Sequence, residues 1–584
     1  MNMKMKRSLA TIVLSAALLT TASFPAWAEE GVSSAVFAQT STNTSYALKD
    51  QVEVEIKSIL NEHESNSTKL GAVIRIKNTS GKVTRVPDFE MRVSMADGTV
   101  YTLQPSAKNP KSIQPKSQQE LSYLSTVERS DDAELSELSF VDVDMEVYPK
   151  KETTLLSVPV DSALVWNGSD STITKAAALL KWGEAFTLPS LRSPIGFIPV
   201  DIHKEITAKG VSTVVQIQVV NPTNERQTVP NFGIDGKTES TIYSGNRAET
   251  SVVLDPGEKK YIHVVIPTDL DTEFTSLNVV SPESFFAAMG EGGNLQEVTY
   301  RVGRANILLP VGAATQGVIP APAYTLGTPV KLDSTNKFVP SNVDVSLVEL
   351  HVTNNEDDGF NTAIAKFKLT NNSDRPIPIP AIQTELVSKD GFAYGGRRQA
   401  ATALSVVPKA SYVVSYSYAL PASETGEGLK MNLYSQQANG DTTYKSLLAT
   451  AKVPVQPNDF TSKVLNVYPY EISIKDWTIS AIFQAALTYD YKLKLDLDIK
   501  PDKLVTVDKY NSKLSFELFD KVGNPVGKTT KDLSGEGRLY NGTNTIDLSA
   551  RSGQLDFPIQ VKIYETFTNE FGETVKRLLT TFKQ

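Results

Sequence analysis

Four histidines, His63, His203, His263 and His351, are the side chains of this 584-residue sequence best suited to acid–base or metal chemistry. They stand far apart, and no two have the spacing at which imidazoles share a metal ion. His63-Glu64 begins like a zinc-protease helix motif, but Ser67 stands where the second histidine belongs. Gly523-Asn524-Pro525-Val526-Gly527-Lys528-Thr529 is similar to a phosphate-binding loop, with one residue too few between its glycines. It lies between strand-like segments and not before a helix, so its amides would not converge on a phosphate. A hairpin turn is expected there. No Gly-x-Ser-x-Gly elbow occurs. There is no cysteine, which removes thiol catalysis, Cys-zinc sites and disulfides. Asp142/Asp144, Asp269/Asp271 and Asn355-Glu356-Asp357-Asp358 offer oxygen ligands for Ca²⁺, but none has the EF-hand spacing. Asp142 and Asp144, two apart, are expected on the wet face of a strand. The expectation is a protein that is not an enzyme, with no catalytic residue, metal or cofactor.

One stretch offers recognition instead. Ser281-Pro282-Glu283-Ser284-Phe285-Phe286-Ala287-Ala288-Met289-Gly290 runs into Glu291-Gly292-Gly293. Phe285, Phe286 and Met289 are apolar where a surface insertion should be polar. They are the candidate binding residues, as an exposed docking tip. The competing expectation is a short helical turn that lays both rings over the open edge of its own sandwich. The cost of exposing two phenyl rings favours that second form.

The elements that would hold these residues come from a pattern repeated three times. An apolar strand ends at Asn78, Asn221 and Asn371. Pro87, Pro230 and Pro380 follow nine residues later, and Pro115, Pro256 and Pro408 follow those by 28, 26 and 28 residues. Around Asn78, Ala72 to Lys77 alternates as a half-buried strand. Asn78-Thr79-Ser80-Gly81 is turn chemistry, and Asp97-Gly98 is a hairpin signal. The interval from second proline to closing proline is 44 residues in the first copy and 46 in the third. It is 54 in the second, and the excess falls at Phe285 and Phe286. The C-terminal stretch reads as a diverged fourth copy. There Leu493, Leu495, Leu497 and Ile499 alternate with charged residues, and Pro501-Asp502 replaces the Asn turn.

The fold class expected is all-β, a tandem array of antiparallel sandwich modules joined by short linkers. One face of each strand is apolar and the other polar, the signature of a sheet with one wet face. Module boundaries fall at 49–162, 196–313, 338–457 and 458–584. A linker with a candidate helix over Thr174 to Trp182 spans 163–195, and a Pro/Gly linker spans 314–337. The strand–Asn turn, the proline-led strand and the Asp255-Pro256-Gly257-Glu258 turn resemble the immunoglobulin-like repeats of secreted and cell-surface Firmicute proteins. The resemblance implies a fold and carries no active site.

Residues 1–28 read as a Sec signal peptide. Lys4, Lys6 and Arg7 precede an apolar run, and Ala26-Trp27-Ala28 closes it. Residues 29–48 form a Ser/Thr-rich segment expected to be disordered. Removal of the leader takes three positive charges and no acid, so the formal charge of −8 becomes −11. An acidic chain argues against nucleic acid as partner. No membrane span is expected after leader cleavage. The reading is a non-catalytic, extracellular or cell-envelope protein, of the Gram-positive kind, that binds or spaces. Its partner would be an envelope component or a protein. The alternatives are an extracytoplasmic partner of a transporter or sensor, and an enzyme of unrecognised type with its site in the fourth module.

Overall fold

The computed structural model describes Ala38, Gln39 and residues 44–584, except 132, 161–164, 169–172, 174–177, 208–209, 290–293, 310–320, 356–358, 440–441, 484–488 and 553–557. The leader and most of 29–48 lie outside the described residues. The end of that segment does not fit the expectation of disorder. Ser45–Lys49 is a strand paired with Val52–Glu55, because Leu48 is buried in the first core.

The chain is all-β, and among the described residues each of four successive modules encloses its own hydrophobic core. Each is enclosed by antiparallel strands whose inward residues alternate with polar ones. Every module carries near its start a long hairpin that belongs to its first sheet. These leading hairpins are Val52–His63 with Thr68–Asn78, Gly196–Thr207 with Gly210–Val220, Val343–Asn355 with Phe360–Asn371, and Tyr470–Phe483 with Tyr489–Pro501. Every module ends with a hairpin of its second sheet. These closing hairpins are Leu135–Asp144 with Lys151–Pro159, Ser276–Met289 with Asn294–Leu308, Lys430–Asn439 with Thr442–Lys452, and Gln560–Thr568 with Thr574–Lys583. In the first module Val100–Pro105 pairs into both sheets and makes them continuous. The leading hairpins all shift register at one place, after Ile56, Pro199, Leu347 and Ile474. The closing hairpins shift after Phe140, Val279, Leu433 and Ile563. A bulge at a fixed position re-aims the strand beyond it in the same way each time.

The repeated asparagines lock this arrangement. Asn371 is fully buried. Its Oδ1 accepts from the Ser373 amide at 2.9 Å, and its Nδ2 donates to Arg375 O at 2.7 Å and Val406 O at 3.0 Å. Asn78 and Asn221 make the same bonds, to Lys82 O and Ile113 O, and to Glu225 O and Leu254 O. Each side chain therefore closes its own turn and also ties it to the strand before the second proline. That proline is followed by Lys116, Gly257 or Lys409, all with positive φ of 54°, 70° and 57°. The two lysines offset left-handed strain by donating Nζ to Thr79 O and Asn372 O. In the fourth module Asp502 keeps the turn, accepting from the Leu504 amide at 3.1 Å, but it has no amide to give. Asn371→Ala is expected to cost the third module about 3 kcal/mol, since it strands buried carbonyls. Urea melts of the two chains check this.

Both linkers depart from expectation. Val165–Trp166 runs parallel to Ile59–Leu60 of the first module, and Phe186–Thr187 pairs with Gly196–Phe197 of the second. The helix expected over Thr174 to Trp182 is not formed where the chain is described. Leu179–Lys181 is a strand beside Asn306–Leu308. The open edge there offers unpaired peptide groups, and Leu180 fills the second core. Residues 174–177 lie outside the described residues. In the second linker Tyr324, Leu326, Val330 and Leu332 pack on the third core, so from Ala321 onward it is part of that module. No helix among the described residues is long and apolar enough to cross a membrane.

Candidate functional site

Phe285 and Phe286 lie on neither an exposed tip nor a helical turn. Both belong to the closing hairpin of the second module, whose strands Ser276–Met289 and Asn294–Leu308 pair along their length and reach the first module. Phe285 is buried with Leu60, Leu124, Trp166, Val280 and Val302. Gly303 leaves the room that Trp166 fills: a Cβ there would stand 2.2 Å from the indole. Phe286 is half-buried beneath Lys108 Nζ, 3.4 Å from the ring centre. Its amide donates to Ser106 Oγ at 3.0 Å, and its carbonyl accepts from Ala107 N at 2.8 Å. Met289 ends the strand. The rings do pack, as the second expectation had it, but on the neighbouring module and from a strand. Lengthening the hairpin lets its backbone stay paired while its apolar side covers the neighbour.

Beside this patch the first joint carries an alternating chain of charges. Arg192 meets Glu55 at 2.6 Å, Glu55 meets Arg75 at 2.9 Å, and Arg75 meets Glu120 at 3.0 Å. Glu120 meets Lys57 at 2.8 Å, Lys57 meets Glu283 at 3.1 Å, and Glu283 closes on Arg304. Arg75 also donates to Ser190 O across the joint.

The second joint is built around histidine. His203 is fully buried, with Nδ1 2.7 Å from Asp201 Oδ2 and Nε2 3.2 Å from Glu205 Oε1. Tyr434 of the third module lies against its ring at 5.2 Å, and Glu205 accepts from the Lys445 amide. Gln216 pairs with the backbone of Leu447, accepting at 2.7 Å. His263 meets Glu249 at 2.8 Å, and Tyr444 OH donates to the same carboxylate at 3.1 Å. Burial would lower the His203 pKa, but the Asp201 charge and the two carboxylate hydrogen bonds outweigh it and raise it to about 9. A folded value raised above 6.5 gives stability that is complete below pH 6.5 and lost as pH rises through about 9. The joint is expected to lose about 3 kcal/mol across that window. Melts at rising pH check this, with Asp201→Asn expected to flatten the dependence.

The third joint is the driest. Lys366, with no exposed surface, meets Glu349 at 3.0 Å and Glu565 of the fourth module at 2.6 Å. Arg577 meets Glu565 at 2.6 Å and stands 3.8 Å from Glu349. Lys366 also donates to Tyr468 O at 3.0 Å, and the Tyr468 amide donates to Glu349 at 2.9 Å. Burial would raise the Glu565 pKa, yet Lys366 and Arg577 hold it below the usual carboxylate range. Burial and the Arg577 charge push His351 down to about 3, so it is neutral. The closing hairpin reaches back here too: Glu570 N donates to Arg398 O at 2.8 Å, and Ala400 N to Thr568 O at 3.0 Å. Arg397 pairs with Glu573 at this joint.

These arrangements hold surfaces together. Most of their charged groups pair with one another across the contacts, and sequence reasoning missed Lys57, Asp201, Glu205, Lys366, Glu565 and Arg577. The signal was present as charged residues at alternate strand positions. Of the other candidates, His63 bonds Thr68 Oγ1 at 3.0 Å within its own hairpin. Gly523, at φ 91°, turns a hairpin closed by Asp520 and Asn524, so the phosphate-loop lookalike is a turn. Asp142 stands 3.7 Å from Lys49, and residues 356–358 lie outside the described residues. Among the described residues no three His, Asp or Glu side chains gather as metal ligands. A void of about 10 Å³ inside the third core is lined by Tyr324, Leu347, Phe367 and Met431, and belongs to packing. No protein-family model matches the chain, and no curated protein is similar to it.

Proposed function

We propose that this chain is a non-catalytic extracytoplasmic protein, an array of immunoglobulin-like modules that binds or spaces at the cell envelope. The observation that carries the reading is the construction of the joints. Three successive modules are each gripped by the closing hairpin of the next, over buried ion pairs such as Lys366–Glu565 at 2.6 Å. Networks of this kind fix geometry more than they add stability. A spacer requires fixed geometry from end to end. The leader-like residues 1–28 and the acidic balance fit action outside the membrane. Fractionation of the producing cells, with an antibody to the chain, tests the location. The chain should appear in the medium or co-sediment with purified envelopes. Recovery in the cytosol, or turnover of a substrate by the purified chain, would replace this reading.

A further inference from the structure

The three joints are one joint repeated, and among the described residues the first and fourth modules each leave one half of it uncovered. At each joint the outer face of one module's leading hairpin packs on the closing hairpin of the next. Register makes the positions comparable. The first cross-strand pair after the leading shift is Ser58–Val73, Asp201–Gln216, Glu349–Lys366 and Asp476–Asp496. The members in the first three modules are buried, whereas Asp476 is exposed and Asp496 half-exposed. Two residues on, Leu60, His203 and His351 are buried and Thr478 is exposed. The opposite end is the mirror of this. The second position after the closing shift is buried as Ser281, Ser435 and Glu565, and half-exposed as Asp142 in the first module. The tip of that first closing hairpin holds Met145, Val147 and Tyr148 at 66%, 46% and 99% exposure. Its counterpart in the second module buries Phe285 against a neighbour.

We propose that copies of this chain join end to end, the Leu135–Pro159 hairpin of one copy docking on the outer face of the Tyr470–Pro501 hairpin of the next. The occupant is a second copy because, among the described residues, no other module covers either half of an established joint on the same molecule. Charge supports the same register. Lys57, the bulged residue of the first leading hairpin, pairs with Glu283 at 3.1 Å. Lys475 is the bulged residue of the fourth, and Asp144 holds the position of Glu283. The same docking gathers Asp142, Asp476 and Asp496 where the third joint has Glu565, Glu349 and Lys366. Among the described residues only Asp142 of these has a cation near it, Lys49 at 3.7 Å, and the buried lysine of the third joint is missing, so the gathered carboxylates repel and the joint between copies is weaker than those within. A joint between unlike faces propagates as a line or closes as a ring.

The chain has no cysteine, so single variants can be cross-linked cleanly. Full-length Asp144→Cys and Lys475→Cys copies are mixed and treated with a short bismaleimide. The mixture should give about tenfold more dimer than either variant alone, and Asp496→Lys should lower the concentration at which sedimentation velocity shows dimers by about tenfold. Tyr148→Asp should abolish the dimer with its thermal melt unchanged. Equal cross-linking in mixed and separate samples overturns the proposal, as does an Asp496→Lys chain that sediments like the parent. Binding of monomeric chain to phosphatidylglycerol vesicles through Tyr148, with no dimer at any concentration, also overturns it in favour of a lipid surface.

Discussion

Lys366→Met should loosen the fourth module from the third by about 3–5 kcal/mol, the range measured when one partner of a buried ion pair is removed. The ammonium has no exposed surface and lies between Glu349 and Glu565. Without it, two dry carboxylates are left with Arg577 as the cation they share. Denaturant melts should then show an early transition for the C-terminal module. Adding Glu565→Gln should restore part of the loss, because the remaining charges, Arg577 and Glu349, again balance. The pH dependence follows from two depressed values. Glu565, held below 4.5, gives stability present above pH 4.5 and lost as pH falls through its folded value. His351, at about 3 against 6.5, gives stability that erodes below pH 6.5 and is gone below about 3. The joint is therefore an acid-labile one, while the His203 joint is labile to alkali. In the Lys366→Met chain the acid transition should move to higher pH, since the cation that held Glu565 ionised is gone. An unchanged melt and acid midpoint would show that the network contributes nothing to the joint.

How far the sequence reached can be judged at particular residues. Asn78, Asn221 and Asn371 were legible as turn formers because an Asx turn is local, closed within two residues. Their second bond, to carbonyls such as Val406 O 35 residues away, is long-range and left no spacing to read. Alternation correctly gave strands and their apolar faces. It could not say whether the polar face was wet. Asp201, His203 and Glu205 alternate as an exposed strand face would, yet all three are buried, because dryness is set by what lies across the joint. Pro282 and the glycines near Met289 interrupted the alternation, so one long hairpin read as an insertion. The linkers misread for a related reason: a segment of low propensity such as Leu179–Lys181 becomes a strand when an open edge is already beside it.

Phe285→Ala should release the second module's grip on the first, at a cost of about 3–5 kcal/mol, as truncation of a buried phenyl ring does. The ring is 6% exposed and packs with Leu60, Leu124 and Trp166 in the apolar patch of the joint. Phe286→Ala should cost no more than about 1 kcal/mol, the scale of an exposed cation–π contact, because Lys108 covers one face and the backbone bonds to Ser106 and Ala107 do not need the ring. The two neighbours therefore separate packing from pairing. Tryptophan emission reports the outcome, with Trp166 moving to a wetter environment in Phe285→Ala alone. Gly303→Ala should act like Phe285→Ala from the opposite strand, since its methyl would meet the same indole. If Phe286→Ala proved the more damaging of the two, the hairpin would be held by its exposed ring and backbone, and the buried apolar patch would not be what closes the joint.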